Sequence, residues 1–125
     1  MIEIKKENKG IIIILQASAM GRDLNVSITG GDIPHLGAIA LGIPRPSRHN
    51  PGSTSATVSV LTLTSHKEDE IVRPAAHFLA SSLNVSVVVS CGIHINDIKP
   101  EEIYLIDTIV HGALQELLEA LKGSG

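Results

Sequence analysis

The spacing of apolar and polar residues changes once along the chain, near residue 65. Before that point it has the two-residue rhythm of strands. Ile2–Lys6 alternates, and Glu7-Asn8-Lys9-Gly10 marks a turn. Ile11–Ala19 is β-branched and apolar, which predicts a strand at the centre of a sheet or covered on both faces. A turn at Met20–Asp23 leads into Leu24–Ile28, with Leu24, Val26 and Ile28 on one face, and Gly30-Gly31 breaks that strand. Gly37–Ile43 predicts a fourth strand and Thr57–Thr64 a fifth. Between them, Pro44 to Gly52 holds three prolines and predicts a long ordered loop.

After residue 65 the period becomes helical. Ser65 and Glu68 have the spacing of a capping box. Ile71, Ala75, Phe78, Leu79 and Leu83 then fall on one helix face. Pro74 lies inside this pattern, so the helix is expected to start near Glu70, where a proline costs least. Asn84–Cys91 is Val-rich and short, a sixth strand. Pro100 opens a second helix at the favoured first position, with Glu101 and Glu102 at its positive end. Ile103, Ile106, Val110, Ala113, Leu117 and Leu121 form one face of it, over roughly 35 Å.

This order predicts an α+β fold: a mostly antiparallel sheet of about six strands with two helices packed on one face. The strand after the first helix should insert beside an earlier one. Residues 1–122 are read as a single α+β domain, with Gly123-Ser124-Gly125 as a flexible tail.

Composition narrows the chemistry. The chain has 125 residues and a formal net charge of −3, and lacks the basic surplus expected of a nucleic-acid-binding module. Phe78 and Tyr104 are the only aromatic residues, too few for a base-stacking platform. Cys91 is the single cysteine, which excludes an internal disulfide and a cysteine-based zinc finger. No apolar run is long enough for a signal peptide or a membrane span, so the expected setting is cytoplasmic, without membrane association.

Six histidines remain. His35, His66 and His94 sit at the ends of elements, beside Gly, Pro and charged residues. They could bind a divalent metal or exchange protons near neutral pH. Asp32, Glu68 and Asp69 could orient them, as carboxylates commonly do. Lys67, Arg45 and Arg48 supply cations, and the first helix offers free N–H groups to an anion. Each segment also has a plainer reading. Gly30-Gly31-Asp32 serves equally as a turn, and residues 65–70 as a solvated first helical turn. His49, His77 and His111 read as surface residues, and Cys91 as a small buried apolar group.

Four segments together resemble a known family. They are Gly-Gly-Asp-x-Pro-His-x-Gly-Ala at 30–38, Pro-Arg-Pro-Ser at 44–47, His-Lys-Glu-Asp-Glu at 66–70 and Gly-Ile-His-x-x-x-Ile at 92–98. In this order and spacing they are similar to the prenylated-flavin chaperone-like domains, a family of small proteins grouped with gallate decarboxylase. The resemblance runs from about Gly21 to Leu121. It implies an accessory protein without turnover of its own. Its partner would be a UbiD-like decarboxylase of hydroxylated aromatic acids, and it would bind or deliver prenylated flavin mononucleotide or plain flavin mononucleotide. The residues implied at the cofactor are Asp32, His35, Arg45, Ser47, His66, Lys67, Glu68, Asp69 and His94.

Two other readings stand beside it. One is a small metal-dependent enzyme with His35, His66 and His94 as ligands. The other is a structural module that forms a homo-oligomer through aliphatic strands such as Ile11–Leu15 or through the second helix.

Overall fold

The computed structural model describes residues 1–63 and 68–123. The elements run β1 (Ile2–Asn8), β2 (Ile11–Met20), β3 (Asp23–Gly31), β4 (Ala38–Pro46), β5 (Thr54–Thr62), α1 (Asp69–Leu83), β6 (Val87–His94) and α2 (Pro100–Gly123). The six strands form one sheet in the order β1-β2-β3-β6-β4-β5. As expected, the strand after the first helix inserts beside earlier ones. β6 lies parallel to β3 and antiparallel to β4, and every other pairing is antiparallel. The fold is the α+β class read from the sequence.

Strand alternation decides which face is covered. Ile13, Leu15 and Ala17 of β2, Val26 and Ile28 of β3, Val87, Val89 and Cys91 of β6, and Ala38 and Ala40 of β4 are buried on one face. α1 covers β4, β5 and β6 there, and α2 covers β1 and β2. The small residues Ala38, Ala40 and Gly42 let α1 come close. A Cβ at Gly42 would lie 2.7 Å from the Ala76 carbonyl oxygen. Among the described residues, the other face of the sheet carries no helix.

Several boundaries differ from the sequence expectation, among them β5, which opens at Thr54 instead of Thr57. β4 does not stop at Ile43: Pro44, Arg45 and Pro46 pair with Ala56, Ser55 and Thr54, so the predicted loop shrinks to residues 47–53. Both prolines lie beyond Gly42↔Val87, the last pair with β6, where the strand is an edge on that side and a missing N–H is tolerated. Gly30 and Gly31 do not break β3, because they pair with Ile93 and His94. For the same reason β6 runs on past Cys91 to His94. Asn84 does not open that strand: it is the left-handed C-cap of α1, and its N–H donates to the Ala80 carbonyl at 2.9 Å.

α1 starts at Asp69 with Glu68 as its N-cap residue, close to the start that Pro74 demanded. Pro74 is exposed, so the hydrogen bond it removes is lost on the solvent side. The capping role expected of Ser65 lies outside the described residues. Among the described residues no helix is long and apolar enough to cross a membrane.

Candidate functional site

The site follows from one topological fact. β3 and β4 are consecutive strands, yet β6 lies between them. The chain from Asp32 to Gly37 must therefore cross the end of β6, and it does so in close backbone contact. The N–H groups of Asp32 and Ile33 donate to the His94 carbonyl at 2.7 and 3.4 Å, and Gly37 N–H donates to the Cys91 carbonyl at 2.8 Å. Gly31 has a φ of +80°, which favours glycine, and a Cβ there would lie 2.2 Å from the His94 carbonyl oxygen.

The crossover gathers four of the residues singled out in the sequence. His94 Nε2 and Asn96 Oδ1 are 3.0 Å apart, and Asn96 N–H donates to Asp32 Oδ2 at 2.9 Å. His35 and His94 meet edge to face, with ring centroids 6.0 Å apart and planes at 84°. His35 Nε2 lies 3.5 Å from Oε1 of Glu68, and its Nδ1 lies 3.4 Å from the Ile33 carbonyl oxygen. Nδ1 thus faces the Ile33 carbonyl and Nε2 faces Glu68 outside hydrogen-bonding geometry, which sets the imidazole between the crossover and the start of α1.

Glu68 is the unusual member. It is 5% exposed, and its Oε2 has no hydrogen-bond partner among the described residues. A carboxylate is rarely so buried unless it is paired. Gly37 makes room for it: a Cβ at that position would lie 2.6 Å from the Glu68 carboxyl carbon. Cys91 lies in the same electrostatic neighbourhood. Burial, and secondarily the charge of Glu68, push its thiol up to about 12. It is a packed apolar group, as expected, and not a nucleophile at neutral pH.

Above these residues opens a cleft of about 320 Å3, lined by Thr29, Pro34, His35, Leu36, Ser90, Cys91 and Gly92. Its described walls are apolar or hydroxyl-bearing, with one imidazole and no cationic Lys or Arg side chain. The importance of Gly37, Gly92 and Asn96 did not emerge from the sequence reading. The available signal was the glycine on each side of Pro34-His35 and the glycine before Ile93-His94.

The other sequence candidates lie apart. Arg45 is seven residues along β4 from Ala38, about 23 Å at strand rise. Its guanidinium donates to Thr57 Oγ1 and the Pro46 carbonyl. Ser47 follows it, bonded through its N–H to the Ser53 carbonyl. The expected grouping of Arg45 with the first-helix N-terminus around a phosphate is therefore not made. That helix start carries Glu68, Asp69 and Glu70, which disfavour an anion. His66 and Lys67 lie outside the described residues. Among the described residues no three His, Cys, Asp or Glu side chains are grouped to hold a metal ion. His111 meets Asp107 at the surface, as helix spacing implied, whereas the His77 ring meets Ser55 of β5 instead of a partner on its own helix.

Two helices layered on one face of a six-stranded sheet make an α+β fold that a solved chaperone complex shares. At 17% identity the chain matches a structure titled as a novel chaperone complex for yeast 20S proteasome assembly, with a TM-score of 0.56, covering 98% of this chain and 94% of the other. That likeness is one of fold. No curated protein shows a match. The family is shown by its own model: residues 7–122 match the prenylated flavin chaperone LpdD-like domain, and the chain belongs to that family.

Proposed function

We propose that this chain holds the ring portion of a prenylated flavin mononucleotide, or of flavin mononucleotide itself, in the cleft beside the crossover. It would pass the cofactor to a UbiD-like decarboxylase of hydroxylated aromatic acids and catalyse no turnover itself. Family membership supplies the cofactor class. The observation that carries the placement is His35, held at 3.5 Å by the buried Glu68 and facing a cleft of about 320 Å3.

The lining suits the ring better than the phosphate. Pro34, Leu36 and Gly92 offer flat apolar contact, while His35, Thr29 and Ser90 can meet polar ring edges. Arg45 is too far along β4 to meet a phosphate at the same time. A phosphate left outside the cleft stays available to the acceptor enzyme, which fits hand-over better than permanent storage. Asp32 and His94, joined through Asn96, brace the crossover that walls the cleft, and Glu68 acts on the ligand only by positioning His35.

The test is a titration of the purified chain with plain and prenylated flavin mononucleotide, read by flavin fluorescence. Saturable binding is expected, weakened at least tenfold in His35→Ala and changed less than twofold in Arg45→Ala. Absence of binding at high micromolar flavin, or equal loss in both variants, overturns the placement.

A further inference from the structure

We propose that the helix-free face of the sheet is an interface between two copies of this chain, packed sheet on sheet with their helices outward. The inference goes beyond the cofactor reading and does not depend on it.

A solvated antiparallel face normally alternates towards polar and charged side chains. This one does not. Register places Ile12 and Ile14 of β2, Val88 of β6, Ile39, Leu41 and Ile43 of β4, and Leu61 of β5 on the same face. Leu41, Ile43 and Leu61 are 39%, 48% and 73% exposed. The remaining positions at the centre are small or uncharged: Gln16, Ser18, Asn25, Ser27, Thr29 and Ser90. Thr29 and Ser90 also line the cleft, so a second copy on this face would cover part of its mouth. Charged side chains on this face are confined to its borders, with Glu3, Lys5 and Glu7 on edge strand β1, Asp23 at the start of β3 and Arg45 near the end of β4. The aliphatic patch on β4, with Leu61 and Val88 beside it, is separated from Ile12 and Ile14 by the polar positions of β3, and an uncharged surface that carries such a patch inside a charged rim marks a protein interface.

Two features favour a second copy as the occupant. The first is symmetry. Ile39, Leu41 and Ile43 are evenly spaced on one side of β4, so a two-fold axis crossing the strand at Leu41 lays Leu41 on Leu41 and Ile39 on Ile43. That self-match is what an isologous dimer requires. The second is size. Six strands about 4.8 Å apart and about eight residues long give a face of roughly 750 Å2. Two such faces bury about 1,500 Å2, within the standard range for a stable complex. Aligned sheets pack with side chains interdigitating about 10 Å apart, which suits the short Ser, Thr and Val side chains between the larger aliphatic ones.

The experiment is light scattering on the full chain at about 50 μM, alone and with substitutions. The wild type should run at twice the 13.2 kDa of one chain. Leu41→Lys places two like charges on the axis and should raise the dimer dissociation constant at least a hundredfold. Tyr104→Lys, on α2 and 79% exposed, should leave the mass unchanged. Circular dichroism reports whether each variant folds. If Leu41→Lys does not, the milder Ile43→Thr should still raise the constant at least fivefold. A monomeric wild type, including one that pairs only with a decarboxylase, overturns the proposal. So does a dimer that survives a folded Leu41→Lys.

Discussion

The His35 carbonyl oxygen occupies the space a side chain at Gly92 would need: a Cβ there would lie 1.2 Å from it. The crossover can rest on β6 only because that residue is glycine. Gly92→Ala must therefore push the 32–37 segment off the strand and strain its hydrogen bonds to His94 and Cys91. We expect a loss of about 3 kcal/mol in urea unfolding, the scale of overpacking a tight core contact. A loss below about 0.5 kcal/mol would show that the crossover is free to move.

Glu68 keeps a buried carboxylate with one oxygen unpartnered among the described residues, and burying a charge costs stability unless it is fully paired. Glu68→Gln preserves shape and removes the charge. We expect this variant to be more stable than the wild type by about 1 kcal/mol, while flavin binding weakens at least fivefold as His35 loses the charge beside it. Thermal melting and the fluorescence titration read the two effects separately. A variant both destabilised and fully competent in binding would contradict the positioning role.

Period and turn chemistry made the six strands and two helices legible, since alternation in Leu24–Ile28 and helical spacing in Ile71–Leu83 are local properties. The insertion of β6 followed from its short, Val-rich character. What stayed hidden depends on pairing across the sheet. Pro44-Arg45-Pro46 reads as a loop by composition, yet β5 holds it as strand once β6 has ended. Gly30-Gly31 reads as a break and Cys91 as the end of its strand, yet Gly30, Gly31 and Gly92 all pair in the parallel ladder. The site was half legible for the same reason. Asp32, His35, Glu68 and His94 mark element ends that topology brings together, whereas Arg45 marks an element end that topology carries about 23 Å away.

Asn84 ends α1 in the left-handed region, with φ 56° and ψ 44°. Asparagine accepts that conformation better than most residues, and glycine better still. Asn84→Gly should therefore change stability by no more than a few tenths of a kcal/mol, whereas Asn84→Val should cost about 1–2 kcal/mol. Denaturant titration of the pair decides whether the cap is set by backbone conformation. Equal behaviour of the two variants would refute it.

Cys91 links packing to alkaline stability. Burial first, and Glu68 second, raise its thiol from 9.0 to about 12. The unfolded chain thus releases this proton near pH 9 and the folded chain only near pH 12. Between those values the unfolded state binds fewer protons, so stability falls as pH rises, by about 1.4 kcal/mol per pH unit from this group. Below pH 9 both states keep the proton and the contribution is constant. Cys91→Ala lacks the thiol and should show a correspondingly shallower decline between pH 9 and 11, compared slope to slope so that lysine and tyrosine titration cancels. At pH 8 the native thiol should also resist iodoacetamide for hours and react within minutes in urea. Rapid labelling of the folded chain, or identical alkaline slopes, would mean that the crossover and α1 do not seal this part of β6 from solvent.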